Sequence, residues 1–388
     1  HLNERPAAAA SVEKVLSEAP TSLPALERLL QLAKDGGDAA RATMALARAA
    51  QEARKQAAVL GRPDAELSDT ALAALVQIYG WQGSKDAQAM AAQAHFAVSE
   101  ALGKKVPKPA APPPKAPQRS IGPPLRSAAF GPEARGVLTD VWAEIWEVAS
   151  RVLSPELSTL GLHPREQLNR KEVPPAWSGV DQLAQRFGLG SSSGTLPYAL
   201  FQGKEREACL ISGSSLICGA AYAVPLSSLP PALYFRLARR LALLPDRLGP
   251  VDSDGDDVLL FLAACCQLVQ APLPVLPGEI KGRLDERTRA VDRAISRKER
   301  NALKSMVPRL SVLAGEDGQA FVRGWQQAVR QGAALLALAL GGDLGAALAE
   351  TGAQLDGEGE ASRLGRVLCA FSVSAELQLL RRELGLGE

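Results

Sequence analysis

The sequence predicts a mostly α-helical protein: N-terminal helical hairpins, then an α+β domain with a short strand hairpin and many helices. Three observations predict it. Ala, Leu and Arg, at the top of the helix scale, are heavily used while aromatics make up 4% of the chain. Apolar residues recur at helical spacing over most of its length. Two neighbouring stretches, Tyr198 to Gln202 and Ala208 to Ala223, are the places that read as strands. A length of 388 residues leaves room for two or three domains. With 46% apolar and 22% charged residues the composition is that of a globular chain, and a net charge of +2 gives no overall pull toward a polyanion.

Residues 1–105 read as helices alone. Leu23, Leu26, Leu29, Leu30 and Ala33 follow one helical face, and Gly36, Gly37 and Asp38 end it in a turn. Ala39 to Ala53 forms an alanine-rich second helix. Leu72, Leu75, Val76 and Tyr79 begin a similar pair, which turns at Gly80 to Ser84 and continues from Ala87 to Leu102. The offset between the pairs is about 46 residues, a weak internal repeat. The next segment, 106–126, is a linker. It carries Pro107, Pro109, Pro112, Pro113, Pro114, Pro117, Pro123 and Pro124, and from Lys104 to Arg126 six basic residues and no acid. Proline fixes φ and removes donors, so a semi-rigid, solvated spacer is expected.

The second domain spans 127–388. An amphipathic helix is predicted over Gly131 to Leu153, followed by a proline-rich connection containing His163 and Trp177. The two strand stretches turn at Gly203 to Glu207 and at Ser212 to Ser215, and a helix runs from Leu229 to Leu244. Helices then fill 256–270, 278–294, 297–313, 317–340, 343–352 and 361–384. Ser296 and Glu299 make a capping-box pattern that starts a new helix. The most apolar run, Ala333 to Leu340, is far short of the roughly 20 residues of a membrane span, so no membrane contact is expected.

The five cysteines, 209, 218, 265, 266 and 369, have no framework spacing, which suggests a reduced, cytoplasmic protein. Cys209 and Cys218 can face each other across the hairpin; Cys265 and Cys266 lie in an almost wholly apolar helix and read as core. The chain begins at His1, as a fragment or processed form would, and its first residues lack the apolar stretch of a signal peptide. The Ala/Arg/Leu bias points to a GC-rich bacterial genome.

Two regions resemble known families. The paired helices of 1–105, with small residues on the second helix, resemble tetratricopeptide-type hairpins, although the usual period is about 34 residues and a generic helical bundle fits the same pattern. The segment from Leu196 to Leu244, an apolar hairpin before a helix introduced by Leu229-Pro230-Pro231, resembles the core of a gluzincin-type zinc metallopeptidase. That resemblance implies a His-Glu-x-x-His helix, two ligands one turn apart with a glutamate base between them. Here Arg239, Arg240 and Leu243 stand at those positions, and a protonated guanidinium has no lone pair for zinc. The three histidines, His1, His95 and His163, lie in separate regions, so no two share a helix. The resemblance therefore implies a pseudoenzyme, with no catalytic residue, no metal and no cofactor.

Other chemistry is thinly represented. Gly213-Ser214-Ser215-Leu216 lacks the Gly-x-Ser-x-Gly spacing of a nucleophile elbow and reads as a hairpin turn; His163, the one candidate base, reads as a surface or capping histidine. Asp252-Ser253-Asp254-Gly255-Asp256-Asp257 begins like a calcium loop, but Ala263 stands where the bidentate glutamate belongs, so these acids are expected to cap the following helix. The segment 281–309 is strongly basic: with Glu279 counted, ten bases stand against five acids. Arg289, Arg293, Arg297, Arg300 and Lys304 form its candidate binding stripe. Nucleic acid is a possible but disfavoured partner, because no recognition motif or interleaved aromatic accompanies the charge. The expected function is a non-catalytic scaffold that binds a protein through its N-terminal helical hairpins; a hydrolase with an unrecognised site is the remaining alternative.

Overall fold

The computed structural model describes residues 4–35, 38–62, 64–110, 115–190, 196–253 and 255–387. The expected turn at Gly36 and Gly37, the prolines at 112–114, Asp254 and His1 lie outside them. About 66% of the chain is helical, with a three-stranded sheet, so the mostly α class with a short strand hairpin is observed. Two compact units are formed: 1–113 with 338–388, and 114–337.

The first unit begins with α1 (Glu4–Glu18), α2 (Leu23–Lys34), α3 (Ala39–Ala58), α4 (Thr70–Gln82) and α5 (Lys85–Ala101). Helix α3 shows why alanine is so abundant. Ala42, Ala49, Ala50, Ala53 and Ala57 are all buried on one face, and side chains this small let neighbouring helices approach closely. Asp38 caps this helix by accepting from the amides of Ala40 and Arg41. Helix α4 ends at Gly83, whose φ of +73° is the left-handed conformation that lets the chain reverse into α5.

The second unit opens with α6 (Pro123–Phe130), α7 (Val137–Leu153) and α8 (Ser178–Arg186), then β1 (Ala199–Gln202), β2 (Cys209–Ser212) and β3 (Ser215–Cys218). Helices α9 (Pro231–Leu243), α10 (Gly255–Leu268), α11 (Gly278–Lys281), α12 (Leu284–Ala294), α13 (Arg297–Ser305), α14 (Val307–Leu310) and α15 (Gly315–Gly341) complete it. The expected hairpin is β2–β3, with Cys209 opposite Cys218 and Ser212 opposite Ser215. Strand β1 joins β3 in parallel, giving the order β1-β3-β2. Gly213 has φ +61°, which the first central residue of a type II′ turn requires. The free edge of β1 is closed by a side chain: Asn169 donates to the Tyr198 carbonyl and accepts from the Leu200 amide.

The core of this unit is built on α7, α9, α10 and α15. Trp142 meets Phe261 edge-on, with ring centroids 5.9 Å apart, and packs against Trp325 at 5.5 Å. Both indoles are satisfied, Trp142 by the Arg247 carbonyl and Trp325 by the Thr139 hydroxyl. Gly332 lets α15 press on α6, since a Cβ there would lie 2.5 Å from the Phe130 backbone. Cys265 and Cys266 are buried in α10 as the sequence implies, and burial pushes Cys266 up to about 12.

Helices α16 (Leu344–Thr351), α17 (Glu360–Ser372) and α18 (Ala375–Glu383) belong to the first unit, whereas sequence alone grouped them with the second domain. They are tied to it by buried polar contacts. Gln93 donates to the Gly342 carbonyl and accepts from the Leu344 amide, joining α5 to the start of α16. Arg381 reaches both carboxylate oxygens of Asp86 at 2.8 Å and donates to the Ala339 carbonyl. Sequence also ran one helix through 361–384; it breaks at Val373, and the Ser374 hydroxyl caps α18.

The stretch before α6 also differs from a free spacer. Pro123 and Pro124 occupy the first turn of α6, where a missing N–H costs nothing. Arg126 is buried, bidentate to Asp246 at 2.9 and 3.0 Å, and donates to the Ile121 carbonyl. The Tyr234 hydroxyl donates to the Lys115 carbonyl, so the chain from Lys115 onward is packed on its own unit.

Candidate functional site

Four places in the two units hold the residues that sequence singled out. The first is α9. Its Pro-initiated first turn and its run of Leu233, Tyr234, Phe235, Leu237, Ala238, Leu241, Ala242 and Leu243 bury most of the helix. Arg239 donates to Oδ1 of Asp252 at 2.6 Å, and Arg240 donates to Oδ2 of the same carboxylate. Arg240 also holds β2 through the Cys209 carbonyl, 3.2 Å from its Nε. Arg330 of α15 lies 3.8 Å from Asp252 and donates to the Ser253 carbonyl. The Asp252 side chain is 3% exposed. Three guanidiniums thus converge on one buried carboxylate, and Leu243 is wholly buried. Arg239 and Arg240 thus belong to a structural ion cluster, and Leu243 belongs to the core.

Asp252 was expected to cap the next helix with its neighbours. It serves the arginines instead, because its buried carboxylate needs charged donors more than a helix end does. Asp256 and Asp257 do lie in the first turn of α10, and they pair with Arg323, and with Arg283 and Arg287. Among the described residues no group of three or more His, Cys, Asp or Glu is arranged to hold a metal ion.

The second place is an open groove of about 800 Å³ in the second unit. Its walls come from the end of α7 (Ser150, Arg151, Ser154), the connection carrying Glu156 and His163, the β2–β3 turn, and α12 at Arg293. The turn is held there by the Ser212 hydroxyl, which donates to the Pro155 carbonyl at 2.7 Å. Ser212, Ser215 and His163 therefore border one groove, which no sequence spacing showed. Their geometry is not that of a nucleophile and base. His163 Nδ1 accepts from the Arg165 amide at 3.1 Å, which leaves the ring proton on Nε2 as a donor. Its own amide donates to Glu166, completing a capping box, so the capping role expected of His163 is what the local geometry provides. Among the described residues no hydrogen bond joins His163 to a serine.

The basic stripe is the third place. Arg289, Arg293 and Arg297 and Lys304 are exposed along α12 and α13, and no carboxylate among the described residues pairs with them. Arg289 and Arg293 only donate through Nε to carbonyls four residues earlier, Asp285 and Arg289. Arg300 is different, being ion-paired with Asp292. The capping box at Ser296 and Glu299 forms as expected. Burial pushes the Glu299 carboxyl up, but Ser296 and Arg151, 2.6 Å away, outweigh it and hold the group below the usual range.

The fourth place is a shallower groove of about 320 Å³ in the first unit, on α1, α2 and α3. Leu16 and Leu29 form its floor, Arg41 and Arg48 line it, and Met44 stands 66% exposed between those arginines. The helix expected over Ala39 to Ala53 forms, but its sequence pattern did not show that Met44 is left uncovered.

Among the described residues no helix is long and apolar enough to cross a membrane. No family model matches the chain, and no curated protein or solved structure was found to be similar to it.

Proposed function

We propose that this chain is a non-catalytic interaction protein that binds a partner protein through its N-terminal helical hairpins, while the second unit keeps the form of a degenerate peptidase core as structure. The observation that carries this reading is the cluster of Arg239 and Arg240 on the buried Asp252. A catalytic zinc site keeps an open position for water. Here the corresponding turn of α9 has its polar groups committed to ion pairs and its apolar ones to the core. The partner surface is the groove of α1–α3, where the exposed Met44 lies beside Arg48, with which no carboxylate among the described residues pairs. That suits an amphipathic segment carrying an acid, while Arg41 is already held by Glu13 and Asp38.

Affinity capture with the full chain tests the reading, comparing wild type with a Met44→Glu/Arg48→Glu double variant. A stoichiometric protein retained by wild type and lost by the variant supports it. Retention by both moves the partner off this groove, and stoichiometric zinc with peptide hydrolysis would end the non-catalytic reading. A second reading, a nucleic-acid contact along Arg289, Arg293, Arg297 and Lys304, is favoured by those four unpaired charges and weakened by the absence of aromatics beside them. Failure of oligonucleotides to be retained at low salt disposes of it.

A further inference from the structure

The groove of the second unit is a place where separate donors converge without serving the protein itself. Arg293 presents a guanidinium whose Nη atoms meet no carboxylate among the described residues. His163 is fixed by its Nδ1 contact with Nε2–H as the remaining donor. Ser150, in the last turn of α7, and Ser154, just past its end, make no side-chain hydrogen bond among the described residues. Arg151, by contrast, is neutralised by Glu299.

We propose that this groove binds an acidic, extended peptide segment of a partner protein, with Arg293 and His163 receiving carboxylates. Four features select a peptide over other anions. A volume of about 800 Å³ is far larger than a lone anion needs and suits several residues of chain. Leu157 and Leu162 add half-buried apolar surface that a peptide covers and a small ion cannot. Glu156 also lines the groove, its carboxylate engaged with the Ser158 hydroxyl. A carboxylate in the wall accepts hydrogen bonds from peptide amides, donors that a sugar-phosphate backbone lacks. No Phe, Tyr or Trp among the described residues lines the groove, so the broad stacking platform of a single-strand binder is missing.

This site uses no residue of the α1–α3 groove, so the two readings fail separately. The test is fluorescence anisotropy of the full chain with a labelled peptide of alternating Glu and Ser, at low ionic strength. A labelled oligodeoxythymidylate of equal length serves as the competing probe. Wild type is expected to bind the peptide in preference, and Arg293→Glu to weaken binding about tenfold or more, because it replaces an attractive charge with a repulsive one. His163→Asn keeps an acceptor for the Arg165 amide and removes the Nε2 donor, so about a threefold loss is expected. Met44→Glu is expected to leave peptide affinity unchanged. An unchanged melting temperature shows that each variant is folded. No binding by wild type, equal binding by folded Arg293→Glu, or tighter binding of the oligonucleotide would each overturn the proposal.

Discussion

Two groups of arginines in the second unit have opposite fates. Arg239, Arg240 and Arg330 turn inward on Asp252, a carboxylate that is 3% exposed. Arg289, Arg293 and Arg297 are exposed on α12 and α13, and no carboxylate among the described residues pairs with them. The residue type is the same, and the difference is desolvation. A charge taken out of water is tolerated only with its counter-charge and hydrogen bonds in place, so the inner group is committed to the fold. A charge left in water costs the fold nothing and remains available to something else. The charge count along the sequence therefore does not measure binding capacity; what counts is the charge left without an internal partner.

The sharpest way to break this comparison is Asp252→Asn. With the carboxylate gone, guanidiniums are left converging on a neutral amide, and unfolding by urea is expected to show a loss of about 3 kcal/mol or more. A loss below about 1 kcal/mol would mean that solvent already screens the cluster, and the inner and outer arginines would then be alike. Arg381→Met carries the same logic to the first unit. It strips a buried bidentate pair with Asp86 and the bond to Ala339, and a loss of about 2 kcal/mol is expected by the same measurement.

Asp69 lies between the extremes, itself nearly buried but paired at 2.7 Å with a Lys104 that is mostly exposed. The Lys104 hydrogen bond, helped by the Ser99 hydroxyl and opposed by burial, holds the Asp69 carboxyl below its ordinary value of 3.8. A depressed carboxylate stabilises the fold above its unfolded pKa and loses that contribution as pH falls through the lower folded value. Asp69→Asn is thus expected to cost at most about 1 kcal/mol at pH 7. The gap in melting temperature from wild type should narrow below about pH 4 and not before it. The smallest effect belongs to the outer group: Arg297→Ala should leave stability within about 0.5 kcal/mol. A larger loss would reveal a structural partner for that charge.

Much of this architecture was legible because it is local. The helical spacing of Leu72, Leu75 and Tyr79, the box of Ser296 and Glu299 and the Gly213 turn are encoded within a few residues, and each forms. Helix α8 was missed because Ser178 to Arg186 follows a proline-rich run that reads as loop, and its four buried residues include a glycine. The placement of 338–388 was not legible either. It depends on pairs such as Gln93 with Gly342 and Asp86 with Arg381, far apart along the chain and unmarked by any period. The sites divide in the same way. That Arg239, Arg240 and Leu243 are no zinc ligands follows from their identity alone. That Asp252 joins two of them, or that His163 and Arg293 share a groove with the β2–β3 turn, needs the fold.

The discontinuity of the first unit also bears on how the chain is made. Residues 1–113 leave the ribosome more than two hundred residues before Leu338 does. At ordinary elongation rates of roughly 5–20 residues per second, that is a wait on the order of tens of seconds. During it, Gln93 has no Gly342 or Leu344 and Asp86 no Arg381 to bond, whereas 114–337 is continuous along the chain. A chain ended after residue 337 and released from the ribosome should therefore show a protease-resistant second unit and a sensitive first one, a vectorial order written into the connectivity.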